Sequence, residues 1–245
     1  MNNNKRNIIK IVGILIIASV LGYIFVVVKS IQDFNYVAPQ NTIDLSGNYS
    51  TNKMSFFVTS KNPGQGANFG GLLGADNYCQ ALAEKAGSNG LKWHAYLSTT
   101  STALVPGVNA RDRIGAGPWY NFKGELIANN VEELQSNNKI NKQTALTEYG
   151  EVISGRGDAV NNHDILTGST AEGKASTDSV DTTCSNWTSN AAEGSAIVGH
   201  HDRTGLDDSD AAKSWNSAHA SKGCGLENLK TTGGAGLLYC FGSAN

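Results

Sequence analysis

Residues 72–99, LLGADNYCQALAEKAGSNGLKWHAYLST, contain the helix and strand from which the fold can be worked out. In the first half, the apolar side chains recur at helical spacing and predict a helix over 72–85, which Gly87 brings to an end. The positions with this spacing are Leu72, Leu73, Tyr78, Cys79 and Leu82. In the second half, WHAYLS at 93–98 alternates and predicts a strand. A helix followed at once by a strand indicates a mixed fold.

Further short elements lie on both sides of this unit. MSFFVT at 54–59 and GLLYCF at 236–241 predict strands, and NVEELQ at 130–135 predicts a second helix. Long stretches rich in Gly, Asn, Ser and Thr separate them. With 28 glycines in 245 residues and 8% aromatics, a coiled coil or helical bundle is excluded. We therefore predict one α+β domain over 54–245, with short antiparallel strands, one or two helices and long loops.

The amino terminus has the properties of a membrane anchor. Residues 11–28, IVGILIIASVLGYIFVVV, are uncharged and follow Lys5, Arg6 and Lys10. This length approaches the roughly 20 residues of a membrane-spanning helix, and the basic end is expected to stay in the cytoplasm. We predict a cytoplasmic tip and transmembrane signal anchor at 1–29 and a polar spacer at 30–53. The domain then faces the periplasm or cell surface, or is secreted if the segment is a cleaved signal peptide.

The charge balance and the cysteines distinguish the predicted exported part from the amino terminus. The first 30 residues have four basic and no acidic side chains, which leaves 15 basic against 21 acidic residues downstream, a balance of −6. This balance argues against heparin or nucleic acid as the partner. The four cysteines, Cys79, Cys184, Cys224 and Cys240, all lie downstream. An even number in an oxidising compartment predicts two disulfides, for which three pairings exist.

Motifs for catalysis are missing from the sequence. Neither G-x-S-x-G nor H-E-x-x-H occurs, so we predict a protein that is not an enzyme. His200, His201 and Asp202 form the one compact group of ligand-like residues, but adjacent strand residues point to opposite faces. No metal site or cofactor is predicted. Calcium stays open because Asp207, Asp208 and Asp210 lie close together, with a solvated acidic turn as the default. Arg156-Gly157-Asp158 forms the adhesive RGD tripeptide, which we interpret as a chance match.

Seven segments together carry a family resemblance. They are ADNYCQALAEKAG, LKWHAYLST, RDRIGAGPWYNFKGELIANN, HDILTGSTAEG, CSNWTS, SWNSAH and GAGLLYCF. In this order, over about residues 54–242, the chain resembles the endostatin domain of collagens, and more closely the bacterial exported lectin-like proteins. The resemblance implies a C-type-lectin-like (endostatin-like) fold, with disulfides Cys79–Cys240 and Cys184–Cys224. The calcium-binding Glu-Pro-Asn and Gln-Pro-Asp tripeptides of sugar-binding relatives do not occur, and Trp215-Asn216-Ser217 has serine where those lectins have an aspartate ligand.

These observations lead to a functional expectation. We expect a non-catalytic, membrane-anchored binding domain whose loops between Ser154 and Ser221 meet an extracellular glycan or protein ligand. The predicted contact residues are Trp187, His201, Asp202, Trp215 and Asn216. For the two tryptophans, core packing is the default interpretation, and stacking on sugars is the alternative. Two other functions remain: a structural envelope or adhesion protein that self-associates, and a metal-dependent hydrolase that uses His200, His201 and Asp202.

Overall fold

The computed structural model describes residues 53–178 and 180–244. The predicted anchor at 1–29 and all but the last residue of the predicted spacer at 30–53 lie outside this part of the chain. Within the described ranges, no helix has both the length and the apolar character needed to cross a membrane.

The described elements are short and mixed. Helix α1 spans Gly71–Lys85, α2 spans Val131–Ser136 and α3 spans Leu226–Lys230, with a 3-10 turn at Ala110–Asp112 and a helical turn at Cys184–Trp187. The strands are β1 Phe56–Val58, β2 Lys92–Ala95, β3 Trp119–Tyr120, β4 Leu126–Ala128, β5 Asp164–Leu166, β6 Ile197–His200, β7 His219–Ala220 and β8 Gly234–Ser243. The predicted α+β class is confirmed.

Strand β8 is the centre of a six-stranded sheet. The sheet has the order β1-β8-β5-β6-β7, and β2 also pairs with β8. Strands β1 and β2 are antiparallel to β8, with Phe57 and Ala95 both opposite Cys240. Strands β3 and β4 form a separate antiparallel pair. Because β8 is flanked on both edges, its sequence is an almost continuous apolar run.

Alternation along β8 divides the core into two clusters. Leu238 and Cys240 contribute to one cluster, together with Trp93 and Trp187. Leu237, Tyr239 and Phe241 contribute to the other, which also contains Phe56, Tyr96, Trp119 and Trp215. Successive strand residues point to opposite faces, so one strand supplies both clusters. The sheet is therefore covered on both faces in this region.

Two disulfides connect distant parts of the chain. Cys79 on α1 is bonded to Cys240 on β8, and Cys184 is bonded to Cys224. The presence of two disulfides confirms the prediction from the cysteine count, and the observed pairing is the one that the resemblance implies. The second bridge starts in the turn Cys184–Trp187, where all four residues have left-handed φ values of 49° to 67°. Such a conformation costs non-glycine residues roughly 1–2 kcal/mol each, so tertiary contacts must hold it.

Several predicted elements match in position, and one pairing differs. The helix predicted over 72–85 is α1, the helix predicted over 130–135 is α2, and the strand predicted over 93–98 is shorter and ends at Ala95. The strands were all predicted to be antiparallel, but β5 and β8 are parallel. Strands β6 and β7 and helix α3 lie between them in sequence, and a connection of this length allows β8 to enter from the same end as β5.

Candidate functional site

The candidate site lies where β5 begins and β6 ends. In the antiparallel pairing of these strands, Asp164 is directly opposite His200. Residues opposite each other across antiparallel strands project to the same face. In the next pair, His219 on β7 is opposite Val198, two residues before His200. Sheet register therefore places one carboxylate and two imidazoles from three strands on one face.

A third histidine completes the group, which we call the His/Asp centre: His163, Asp164, His200 and His219. The Nε2 atoms of His163, His200 and His219 lie 3.1, 3.3 and 3.5 Å from Asp164 Oδ1. The rings of His163 and His200 stack with their centroids 4.1 Å apart. The side chains of His163 and Asp164 are each 1% exposed, whereas that of His219 is 38% exposed.

Each histidine is also held through its other ring nitrogen. His163 Nδ1 lies 3.3 Å from Asp202 Oδ1, His200 Nδ1 lies 2.7 Å from the carbonyl oxygen of Ala212, and His219 Nδ1 lies 3.1 Å from that of Ala220. All three partners are acceptors when Asp202 is ionised. The Nδ1 atoms therefore carry protons, and the Nε2 atoms are the ones directed towards Asp164.

The electrostatics of the centre favour ionised carboxylates. Burial alone would raise the pKa of Asp164, but the adjacent His200 and His219 rings lower it below its ordinary value. For Asp202, burial is outweighed by hydrogen bonds from His163 and from the backbone N–H groups of Arg156 and Thr204, which hold its pKa at about 2. The Asp164 carboxylate raises the pKa of His219.

Neither oxygen of the Asp164 carboxylate has a hydrogen-bond partner among the described residues, and the same holds for His200 Nε2. The separations are short, but a neutral ring with its one proton on Nδ1 has no proton on Nε2 to donate to Asp164 Oδ1. A buried charge without a partner is costly, and buried carboxylates are normally paired or bound to metals. The ligand atoms of His163, Asp164 and His200 lie within 4.8 Å of one another, so these three residues have the spacing to hold a metal ion.

A cavity opens over the centre. This loop cavity has a volume of about 660 Å³ and is bounded by parts of segments 156–163, 200–212, 218–222 and 230–233. His163, His200 and His219 lie in its wall. The volume is within the range of about 300–1,000 Å³ that is typical of small-molecule sites. The centre can therefore be reached from outside through the loop cavity.

Three of the five predicted contact residues hold core positions. Trp187 and Trp215 are buried, the first donating from Nε1 to the carbonyl oxygen of Ser98 and the second packing against Tyr96 and Tyr239. Asn216 is also buried, and its amide donates to the Tyr96 hydroxyl and the Ala171 carbonyl oxygen. This placement agrees with the core alternative for the tryptophans, and a ligand outside the domain does not reach these side chains.

The other two predicted residues lie near the centre. His201 is fully buried and is not one of the clustered ligands, as strand alternation after His200 predicts. Its burial lowers its pKa to about 4, so the ring is neutral at pH 7. Asp202 has a different position from the one expected: its carboxylate is buried and binds His163. Asp202 therefore orients the His163 ring through Nδ1, while Nε2 of the same ring faces Asp164.

The remaining sequence candidates lie at the surface. Asp207, Asp208 and Asp210 are exposed, and Asp208 forms an ion pair with Lys213. In the RGD tripeptide, the Asp158 carboxylate is engaged by Lys142 at 2.6 Å and by the backbone N–H of Gly155. The acidic turn is thus solvated, as the default interpretation has it.

Sequence reasoning did not select His163, Asp164 or His219. Part of the signal was present, because His163 and Asp164 directly precede the apolar residues Ile165 and Leu166. Alternation along a strand then fixes which side chains share a face with Asp164. The pairing of β5 with β6 joins Asp164 to His200, 36 positions away, and that of β6 with β7 joins Val198 to His219, 21 positions away. Only that pairing brings His200 and His219 to Asp164.

No family model matches the chain, and no curated protein matches it.

Proposed function

We propose that the chain is a membrane-anchored, exported binding protein whose domain has a C-type-lectin-like fold and takes an extracellular ligand into the loop cavity. The single observation that carries the proposal is the position of this cavity. Most of its wall comes from the loops between Ser154 and Ser221, the segment expected from sequence to present a ligand site. The protein acts by binding and not by catalysis.

The disulfides support the fold and the location. One bridge ties the first helix to the last strand and the other closes a long loop, which is the arrangement implied by the resemblance. Two disulfides and no free cysteine among the described residues fit an oxidising compartment outside the cytoplasm. The apolar, positively flanked run at 11–28 provides the membrane attachment in this proposal.

The shape and charge of the cavity favour a glycan over a protein as the ligand. Protein partners typically bury about 800 Å² on each side of an interface, whereas a concave site of this volume suits a compact ligand. Three cationic side chains, Arg156, Lys222 and Lys230, line the cavity, against one acidic side chain, Asp207. This local excess of positive charge, within an otherwise acidic domain, favours sugars that carry a carboxylate.

The test is a glycan array probed with the purified full-length chain in mild detergent, with and without calcium. We expect binding to carboxylated glycans, weakened at least about tenfold by Lys222→Ala because a charge-assisted hydrogen bond is lost. Lys123→Ala removes an exposed lysine that is not part of the cavity wall, and should leave binding unchanged. Absence of any bound glycan in either ion condition would contradict the proposal, as would concentration-dependent self-association without ligand.

A further inference from the structure

We propose that the His/Asp centre is a zinc site, in which His163, Asp164 and His200 bind one Zn²⁺ ion and His219 supplies the fourth ligand from the cavity side. The inference does not depend on glycan binding, and its probe is the metal ion alone.

The positions of the histidine ring protons leave the three Nε2 atoms free to bind a metal ion. A neutral imidazole has one N–H, and His200 must carry it on Nδ1, because the Ala212 carbonyl oxygen that Nδ1 contacts can only accept. The same holds for His219 against the Ala220 carbonyl oxygen and for His163 against the Asp202 carboxylate. Three bare Nε2 lone pairs therefore surround a carboxylate oxygen that is itself an acceptor. One additional proton would satisfy only one of these three contacts, but one metal ion satisfies all of them.

The distances from Asp164 Oδ1 to the three Nε2 atoms also fit a zinc ion. Zinc binds histidine nitrogen and carboxylate oxygen at about 2.0–2.2 Å, so in a tetrahedral site neighbouring ligand atoms are about 3.3–3.6 Å apart. Asp164 Oδ1 lies 3.1, 3.3 and 3.5 Å from the three Nε2 atoms. These separations match the three edges of such a tetrahedron that meet at Asp164 Oδ1, and the ligand atoms of His163, Asp164 and His200 all lie within 4.8 Å of one another. The absence of a hydrogen bond to Asp164 Oδ1 is also explained, since a ligand's lone pair points at the metal and not at the next ligand.

Each of the three histidines is also held in orientation through its Nδ1 atom. Metal-binding histidines usually donate their other N–H to a carboxylate or a backbone carbonyl, which fixes the ring orientation. All three histidines have such a partner, and for His163 it is the buried carboxylate of Asp202. In addition, the Asp164 side chain is 1% exposed, and its oxygens accept no hydrogen bond from the described residues. A preformed, unpaired anion facing three oriented imidazoles is a site built for a cation.

The ligand types select the metal. Three imidazole nitrogens and one carboxylate suit zinc, whereas calcium takes six to eight oxygen ligands. Four protein ligands also leave no vacant position on a tetrahedral ion, which is typical of structural zinc sites. The ion would join β5, β6 and β7 at the floor of the loop cavity.

The experiment measures zinc binding to the full-length chain, stripped with a chelator and titrated in detergent. We expect one Zn²⁺ per chain with a dissociation constant below about 1 µM. Asp164→Asn should weaken binding more than about 100-fold and His219→Ala by about 10–100-fold. The control is His94→Gln, which removes another imidazole that contacts a carboxylate, that of Asp76, outside the centre. It should bind zinc as the unmodified chain does.

A second readout separates metal binding from a structural role. Added zinc should leave the melting temperature of metal-free Asp164→Asn unchanged. Zinc should raise the melting temperature of the unmodified chain, and a chelator should reverse this rise, a result that requires no variant. Lack of zinc binding by the unmodified chain would overturn the inference. Binding by Asp164→Asn equal to that of the unmodified chain would overturn it as well.

Discussion

Removing the Cys184–Cys224 disulfide tests how the loop-rich half of the domain is held together. The perturbation is the double variant Cys184→Ala/Cys224→Ala. Both cysteines are buried, and their bridge closes a segment with a sequence separation of 40. That segment includes β6, β7 and two of the four residues of the His/Asp centre, His200 and His219. The unfolded chain without the bridge regains the freedom of this whole segment.

The magnitude follows from the loop length. In the chain-entropy model, closing a loop of 40 residues removes about 13 cal/mol/K from the unfolded state, which is about 4 kcal/mol at 25 °C. The Cys79–Cys240 bridge, with a separation of 161, gives about 5 kcal/mol by the same relation. The two costs should therefore differ by only about 1 kcal/mol, although the loops differ fourfold in length, because the dependence is logarithmic.

The assay is equilibrium unfolding in guanidinium chloride, followed by tryptophan fluorescence and circular dichroism, for the oxidised chain and for each double alanine variant. We expect a lower midpoint and a steeper denaturant dependence in both variants, since their unfolded states expose more surface. A loss below about 1 kcal/mol for Cys184→Ala/Cys224→Ala would refute the reasoning. Costs in proportion to loop length, rather than to its logarithm, would refute it too.

Three further variants test individual contacts. Gly199→Ala should lower the free energy of unfolding by at least about 3 kcal/mol in thermal melts, because the new Cβ would overlap the backbone carbonyl oxygen of Trp215. The control is Gly90→Ala, where no atom lies within 4 Å of the new Cβ. It should cost only the roughly 1–2 kcal/mol of its left-handed φ. Asp76→Asn should cost about 2 kcal/mol at pH 7, since the carboxylate binds Arg113 at 2.6 Å and His94 at 3.1 Å. Burial raises the pKa of Asp76, but these partners outweigh burial and lower it. The carboxylate therefore contributes its full stability above the ordinary aspartate pKa and loses it as the pH falls through the lowered pKa. In an acid titration of the free energy of unfolding, the variant and the unmodified chain should converge in that pH range, and a constant difference would contradict this expectation. Asp202→Asn should weaken zinc binding by about 10–100-fold in the same titration that tests the centre, while Asp208→Asn, at an exposed position, should not change it.

Local patterns in the sequence predicted the elements that local forces determine. The spacing of apolar residues from Leu72 to Leu82 is enough to place α1, and the apolar run 236–241 is enough to place the core of β8. Buried on both faces, β8 has a run that stands out from the polar loops around it. The even cysteine count likewise predicted two disulfides, one of which, Cys79–Cys240, joins these two elements.

The site could not be predicted in the same way, because it depends on pairing between distant strands. Nothing near Asp164 indicates that His200 will lie opposite it or that His219 will follow on the next strand. Trp187 was also left with two interpretations. Its position near a cysteine allowed core packing or sugar stacking, and a left-handed turn directs its ring into the core, where the Ser98 carbonyl oxygen accepts its N–H. Backbone conformations of this kind at non-glycine residues have no reliable local signal.

The most direct test of the zinc site is diffraction from crystals of the zinc-loaded chain, with data collected on both sides of the zinc absorption edge. We expect one strong anomalous peak at the floor of the loop cavity, about 2.0–2.2 Å from Asp164 Oδ1 and from the Nε2 atoms of His163, His200 and His219. A zinc-loaded crystal with no peak at this position, or with its main peak at another group of residues, would contradict it.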